Sequence, residues 1–409
     1  MMIEVFGARI RQARVLRQMT ATAVALAMGW SNVRQSKLEK ATTVALTQEH
    51  VEALAGLFRF PARFFSSQPQ SRVTTNELLF RAPKSMTVGE QEFLAAFAAL
   101  AGDFLTDLDG VSTLPPVAVP VVGDGSVSVI EAAAMLRAAM GVNPGEPLDD
   151  LMYEAERLGA PVIVRRRSAG AWCSESWAMP SAHDEKHLGY SSWVGRHRDR
   201  PLVVLRETES WERTRLAVAH ELGHLVLHSR AFGAISATEE ADAHRFAAEL
   251  LAPARAIAAE LPAAMSLLNL KPLKDKWGIS LGSLIRHLRD SDLIDAVRAK
   301  MLTNQLHSRI NPETGHTWGR TEPGWNDRAA ERPRLLRKWV ERCYGSAVVP
   351  ILAARELTIF PPDLLDWFLA TQRQAPAAEH PWMTAAAAAA PPGPGQLVDL
   401  DQFRRDRTR

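Results

Sequence analysis

A mainly α-helical chain with one small β-sheet, an α+β fold, is what the sequence predicts, and three observations carry the prediction. Helix-period segments dominate, opened by Ser or Thr caps and closed by Gly. Two short runs, APVIVRRR and RPLVVLRE, have the apolar, β-branched character of strands. The 409 residues are 46% apolar and 23% charged, an ordinary globular balance.

Residues 1–65 form the first segment. They hold nine Arg and Lys against four Glu, an excess of five positive charges on a chain whose net charge is only +2. A basic head on a nearly neutral body points to an acidic partner, nucleic acid above all. Within MTATAVALAMGWSNVRQSKLEKA, Thr20 is placed to cap a helix running to Met28, and Gly29 to end it in a left-handed turn. Ser31 caps the next helix, which carries Asn32, Arg34, Gln35, Lys37 and Lys40. Helix, short turn and polar-basic helix is the arrangement that lays a second helix in the DNA major groove. Arg and Asn near its start can reach base edges, and Lys can meet phosphates. Thr20, Ser31, Asn32, Arg34, Gln35, Lys37 and Lys40 are therefore the candidate DNA contacts. A bundle that docks protein instead is the alternative.

Residues 66–125 read as a polar linker, a helical stretch to about 110 and a Pro-punctuated connector. Residues 126–310 are one mixed region. Helices ending at Gly141 and Gly159 lead to APVIVRRR, an irregular stretch over 169–200, and RPLVVLRE. The following helix, LAVAHELGHLVLH, contains His220, Glu221 and His224 in HExxH spacing. Residues four apart on a helix lie about 40° apart around its axis, so both imidazoles can reach one ion. Glu221 points off that axis, close enough to polarise a water as the general base of a zinc hydrolase.

A catalytic zinc needs a third protein ligand and an open position. In SATEEADAHRFAAELLAP, Ser236 and Glu239 form a capping box, and Pro253 stops the helix. Ala243 and Ala247 share the face of Glu240, and their small side chains permit close approach to the HExxH helix. Glu240 is the favoured third ligand and His244, on the same face, its rival; His228 is read as a supporting residue. Buried histidines without metal are the alternative, but two imidazoles and a carboxylate inside an apolar helix are costly without partners.

Two resemblances sharpen these readings. The head resembles the lambda-repressor-like (XRE) family of helix-turn-helix domains at Arg9, Ile10, Arg14, Leu16, Thr20, Ala27, Gly29, Ser31, Leu38 and Glu39. It departs at Ala21, where that family usually has a phosphate-contacting Gln, and at Gln35, where a core Val or Ile is usual. Residues 126–310 resemble the ImmA/IrrE metallopeptidases through RTRLAVAHELGHLVLH, EEADAHRFAAELLAP and LKDKWGISLGSLIRHLRDSDLI. That resemblance implies a zincin-like helical fold around a small sheet. It implies zinc (Zn2+) held by His220, His224 and Glu240, with Glu221 as catalytic base. It also implies cleavage of a repressor-type protein, and fusion to the head implies a transcription regulator. A regulator whose metal-bound fold senses or docks with little proteolysis is the second reading.

Trp172, Trp177 and Trp193 are candidate cleft residues, and Tyr190 and His307 conceivable oxyanion stabilisers. Residues 311–380 are a helical region without a mechanism, and 381–409 a low-complexity basic tail. No apolar stretch reaches the roughly 20 residues that span a bilayer. The opening MMIEVFGARIRQARVLRQ lacks the apolar core of a signal peptide, and the two cysteines, Cys173 and Cys343, are far apart. A cytoplasmic protein is expected, with double-stranded operator DNA and a protein substrate as partners, no membrane, and homodimers on paired half-sites.

Overall fold

The computed structural model describes residues 1–345 except 81, 83, 84, 123, 124, 166–188, 209 and 230–232, together with 359–361, 364, 365, 368 and 369. The fold is mainly helical with two small sheets.

The chain opens with β1 (Met2–Phe6), α1 (Gly7–Leu16), α2 (Ala21–Ala27), α3 (Asn32–Lys40), β2 (Thr43–Thr47), α4 (Gln48–Phe58) and α5 (Ala62–Ser66). The head is thus not wholly helical, as its texture suggested. β1 and β2 pair antiparallel, Ile3 opposite Leu46 and Val5 opposite Val44, and flank the helices. Five residues are too short for helix periodicity to compete with this pairing, and Val5 and Leu46 bury from it into the core. The caps fall as read. Thr20 Oγ1 accepts from the Ala23 amide at 3.1 Å, Ser31 Oγ from that of Arg34 at 3.2 Å, and Gly29 takes φ +64°.

A 3-10 turn (Thr75–Glu77) precedes α6 (Val88–Val111), a long Ala- and Phe-rich helix started by a Thr87–Glu90 capping box. Arg9 of α1 reaches it in a buried pair with Asp103, whose other oxygen accepts the Gln70 and Ser71 amides at 2.7 Å each.

Next come α7 (Val129–Ala139), α8 (Leu151–Arg157), β3 (Val162–Arg165), β4 (Gly189–Val194) and β5 (Arg200–Arg206). The sheet order is β3-β5-β4, with β3 parallel to β5 and β4 antiparallel to it. Successive side chains of a strand point to opposite faces, and this sheet divides two cores by that rule. Val203 and Leu205 enter one core with α7–α10, while Leu202 and Val204 enter the other with the head and α6. The run RPLVVLRE is continuously apolar because both faces are covered.

α9 (Trp211–Leu227) and α10 (Ala237–Leu251) follow, then α11 (Ala254–Ala258), α12 (Leu267–Trp277), α13 (Leu281–Asp290) and α14 (Ala296–Ser308). α12 and α13 bury Leu270, Trp277, Leu284 and Leu288 in the first core. Beyond 310, Glu331 straps the start of α9 and Glu322 that of α13. Glu331 pairs with Arg215, and Glu322 accepts the amides of Leu281 and Gly282 at 2.7 and 3.1 Å. α15 (Leu335–Tyr344) packs on α6, as does Phe368, 5.3 Å ring to ring from Phe97. The tail 381–409, Trp172 and Trp177 lie outside the described residues. No helix among the described residues is long and apolar enough to cross a membrane.

Candidate metal centre

α9 starts at Ser210, whose hydroxyl accepts the Arg213 amide at 3.2 Å, and runs buried past Ala217, Val218, Leu222 and Leu225. Its i, i+4 spacing brings His220 Nε2 and His224 Nε2 to 3.1 Å from each other. α10 crosses close by because the contact residues are small. Ala243 and Ala247 are fully buried, and a Cβ on Gly223 would lie 3.0 Å from the Phe246 ring and 3.3 Å from the Ala243 carbonyl.

The crossing carries Glu240 to the histidines. Its Oε1 lies 3.5 Å from His220 Nε2 and its Oε2 3.4 Å from His224 Nε2. The expected third ligand is therefore at the pair, and so is its rival: His244 Nε2 is 3.5 Å from the same Oε1. Glu239 is turned away, capping α10 through the Ser236 amide at 2.7 Å.

The donor chemistry suits a borderline divalent cation. Burial pushes His220 down to about 3 and His228 to about 4, so both rings are neutral near pH 7 and offer lone pairs. His224 Nδ1 lies 3.0 Å from His228 Nδ1. With His224 Nδ1–H donating to His228, His224 Nε2 is left as a lone pair on the side of His220, the orienting role that second partners of zinc histidines play. Burial opposes ionisation of Glu240, but His224, His244 and His220 hold its carboxyl well below the usual range. Two buried atoms, His220 Nδ1 and Glu240 Oε2, have no hydrogen-bond partner among the described residues. Three donor groups turned toward one another, two of them with a buried polar atom unspent, is what a metal site requires and a protein core ordinarily avoids.

Glu221 faces the sheet instead. Ser191 Oγ of β4 donates to its Oε2 at 2.9 Å, and a Cβ on Gly189 would lie 3.2 Å from its Oε1. Burial holds this carboxyl well above its usual range, with the Glu240 charge adding to the effect. On its outer side β4 is met by Leu79, whose amide donates to the Ser191 carbonyl at 2.8 Å. Ser191 and Gly189 were not singled out in the sequence, and no motif marks them. Tyr190 points away, its hydroxyl donating to the Leu94 carbonyl of α6 at 3.1 Å. His307 is an exposed residue of α14, and Trp193 a half-buried one of β4.

Residues 179–289 match the family model described as the IrrE N-terminal-like domain, Peptidase_M78. This stretch is therefore similar to a metallopeptidase-type domain. The match runs from before β4 into α13 and so includes every residue of the donor cluster. The peptidases of this family are generally zinc-dependent, which agrees with the donor set. No curated protein matches the chain.

In the head, Ser31, Asn32, Arg34, Lys37 and Lys40 of the α3 region are exposed, as is Thr20 at the start of α2. Arg34 lies over the Trp30 ring at 4.8 Å. Gln35 departs from the expected contacts. It is fully buried, its amide donating to Glu39 Oε1 at 2.7 Å, because position 35 lies on the inner face of α3. Part of the head's positive charge is also used internally, since Arg14 makes two bonds to Glu39 at 2.7 and 2.8 Å.

Proposed function

We propose that the chain is a DNA-binding regulator carrying a zinc-dependent endopeptidase that acts on a repressor-type protein. The convergence of His220, His224 and Glu240 beside the buried Glu221 is the observation that carries the peptidase reading. A zinc ion held there would supply Lewis acidity towards a peptide carbonyl and a positive charge favouring the carboxylate form of Glu221. His220, His224 and Glu240 hold the ion, and His228 fixes the His224 ring. Glu221 accepts a proton from a water, and Ser191 keeps that carboxylate in place. The exposed Asn32, Arg34, Lys37 and Lys40 on one helix support the DNA reading, with base contacts from the helix start and phosphate contacts from the lysines.

Glu221→Gln keeps the donor cluster intact, so the variant is expected to retain zinc and lose cleavage of a repressor substrate. Wild-type proteolysis by that variant would overturn the mechanism. Burial of Glu221 and the pairing of Leu79 with Ser191 favour a second reading, a metal-bound sensing or docking module with little turnover. Incubation with candidate repressors, with and without chelator, separates the two.

A further inference from the structure

Three protein donors and one open place suffice for hydrolysis, yet a further side chain, His244, stands beside Glu240 and His220. His244 lies one turn beyond Glu240 on α10, its ring centroid 4.4 Å from that of His220. Donor atoms of His220, Glu240 and His244 all lie within 4.8 Å of one another. Ligands about 2.0–2.1 Å from a tetrahedral zinc are separated from each other by roughly 3.4 Å. The separations found are 3.1 Å for His220–His224, 3.4 Å for His224–Glu240 and 3.5 Å for Glu240 with both His220 and His244.

A Glu–His pair at i, i+4 is common on helix surfaces, where it contributes a few tenths of a kcal/mol. This pair differs in its setting. His244 is directed at the oxygen that His220 also faces, with its ring against the His220 ring, and not along the open side of the helix. Side-chain exposure rises in steps across the cluster, from 0% for His224 through 13% for His220 and 24% for Glu240 to 44% for His244. The first three are fixed by the packing of α9 against α10. His244 is the most exposed of the four, at 44%, with the most solvent beside it into which its ring can turn.

We propose that His244 is a fourth protein ligand, closing the metal site in the substrate-free protein and swinging outward to admit substrate. The inference rests on the metal reading above and adds a latch to it. A site ligated wholly by protein binds its ion more tightly and keeps water out of reach of Glu221 until the latch opens.

The test measures zinc affinity of the full chain by chelator competition, and the visible spectrum of the cobalt(II) form, for wild type, His244→Ala and His244→Asn. His220→Ala serves as the ligand-loss control, and circular dichroism follows the fold. Both His244 variants are expected to keep their fold and lose roughly 10- to 100-fold in zinc affinity, a loss of the size seen when a group tuning a zinc site is removed. Their cobalt bands are expected to weaken and shift, and added imidazole to restore the band of His244→Ala. Unchanged affinity and an unchanged spectrum in both variants, with His220→Ala impaired, overturn the latch and leave the three-ligand site standing. A wild-type protein that takes up neither metal removes the underlying reading, and the latch with it.

Discussion

Two helix pairs in this molecule, α2 with α3 and α9 with α10, are both legible from caps and spacing, yet they are built for opposite purposes. In the head the residues of interest stand outside and touch little of the protein. At the centre they are turned inward and held by one another. The glycines show the same contrast. Gly29 is needed for its own backbone, φ +64°, with open space where a Cβ would go. Gly223 has ordinary helical backbone but is needed by its neighbour, because any side chain there would press on Phe246. An outward-facing site leaves no mark on the interior, whereas an inward-facing one leaves buried polar atoms that the protein alone does not satisfy.

The largest effect is expected at the centre. His224→Ala should reduce zinc content, measured by elemental analysis, from roughly one equivalent towards background, since the site loses its most buried ligand. A gel shift with promoter DNA should be unaffected by the same change; loss of both would dissolve the distinction between the pairs.

Next in size is a buried carboxylate outside the donor cluster. Burial pushes Glu156 up to about 7, although it accepts the Arg334 and Leu335 amides at 2.8 and 3.0 Å. The folded protein thus holds this proton more tightly than the unfolded chain does. The associated stability is complete below about pH 4.5 and declines as pH rises to about 7, by roughly 3 kcal/mol in all. Glu156→Gln should flatten that decline in denaturant titrations at pH 5 and pH 8. A decline as steep as wild type's would assign it to other groups.

Gly223→Val tests the close crossing. Overpacking of this kind costs about 1–3 kcal/mol, and the thermal midpoint should fall together with zinc affinity. A lower midpoint with wild-type affinity would show that the crossing supports the fold without positioning Glu240.

The smallest effect on stability belongs to the head. Arg34→Ala with Lys37→Ala should move stability by no more than about 0.5 kcal/mol. If both side chains meet phosphates, the slope of log affinity for DNA against log salt should flatten by roughly 2. An unaltered slope would turn the α3 face from a DNA surface into a protein-docking one.

How much of this was written in the sequence depends on range. HExxH, the Ser236–Glu239 box and the Thr20 and Ser31 caps are local, because each needs only residues three or four apart. Glu240 was reachable because α10 follows α9 directly and carries small residues on the same face. Ser191 was not reachable, since its value depends on the register of β4 beside α9, whose Glu221 lies 30 residues further along the chain. The β1–β2 pair was hidden for the same reason, its halves being separated by three helices. Burial of Gln35 was hinted at by its departure from the usual apolar residue. Its amide partner Glu39, shared with Arg14, became visible only in three dimensions.

Leu79 bonds through its backbone to Ser191 on the outer flank of β4, and Ser191 in turn grips Glu221. Any peptide that approaches along that flank meets a rival tied to the same chain, and a tethered rival acts at high effective concentration. The observed affinity for such a peptide is scaled down by the fraction of time the tether is away. Leu78 and Phe80, either side of Leu79, are anchored in the core that contains the head. Leu79 is thus held between the core that contains the head and the strand whose Ser191 grips Glu221, a mechanical element common to both.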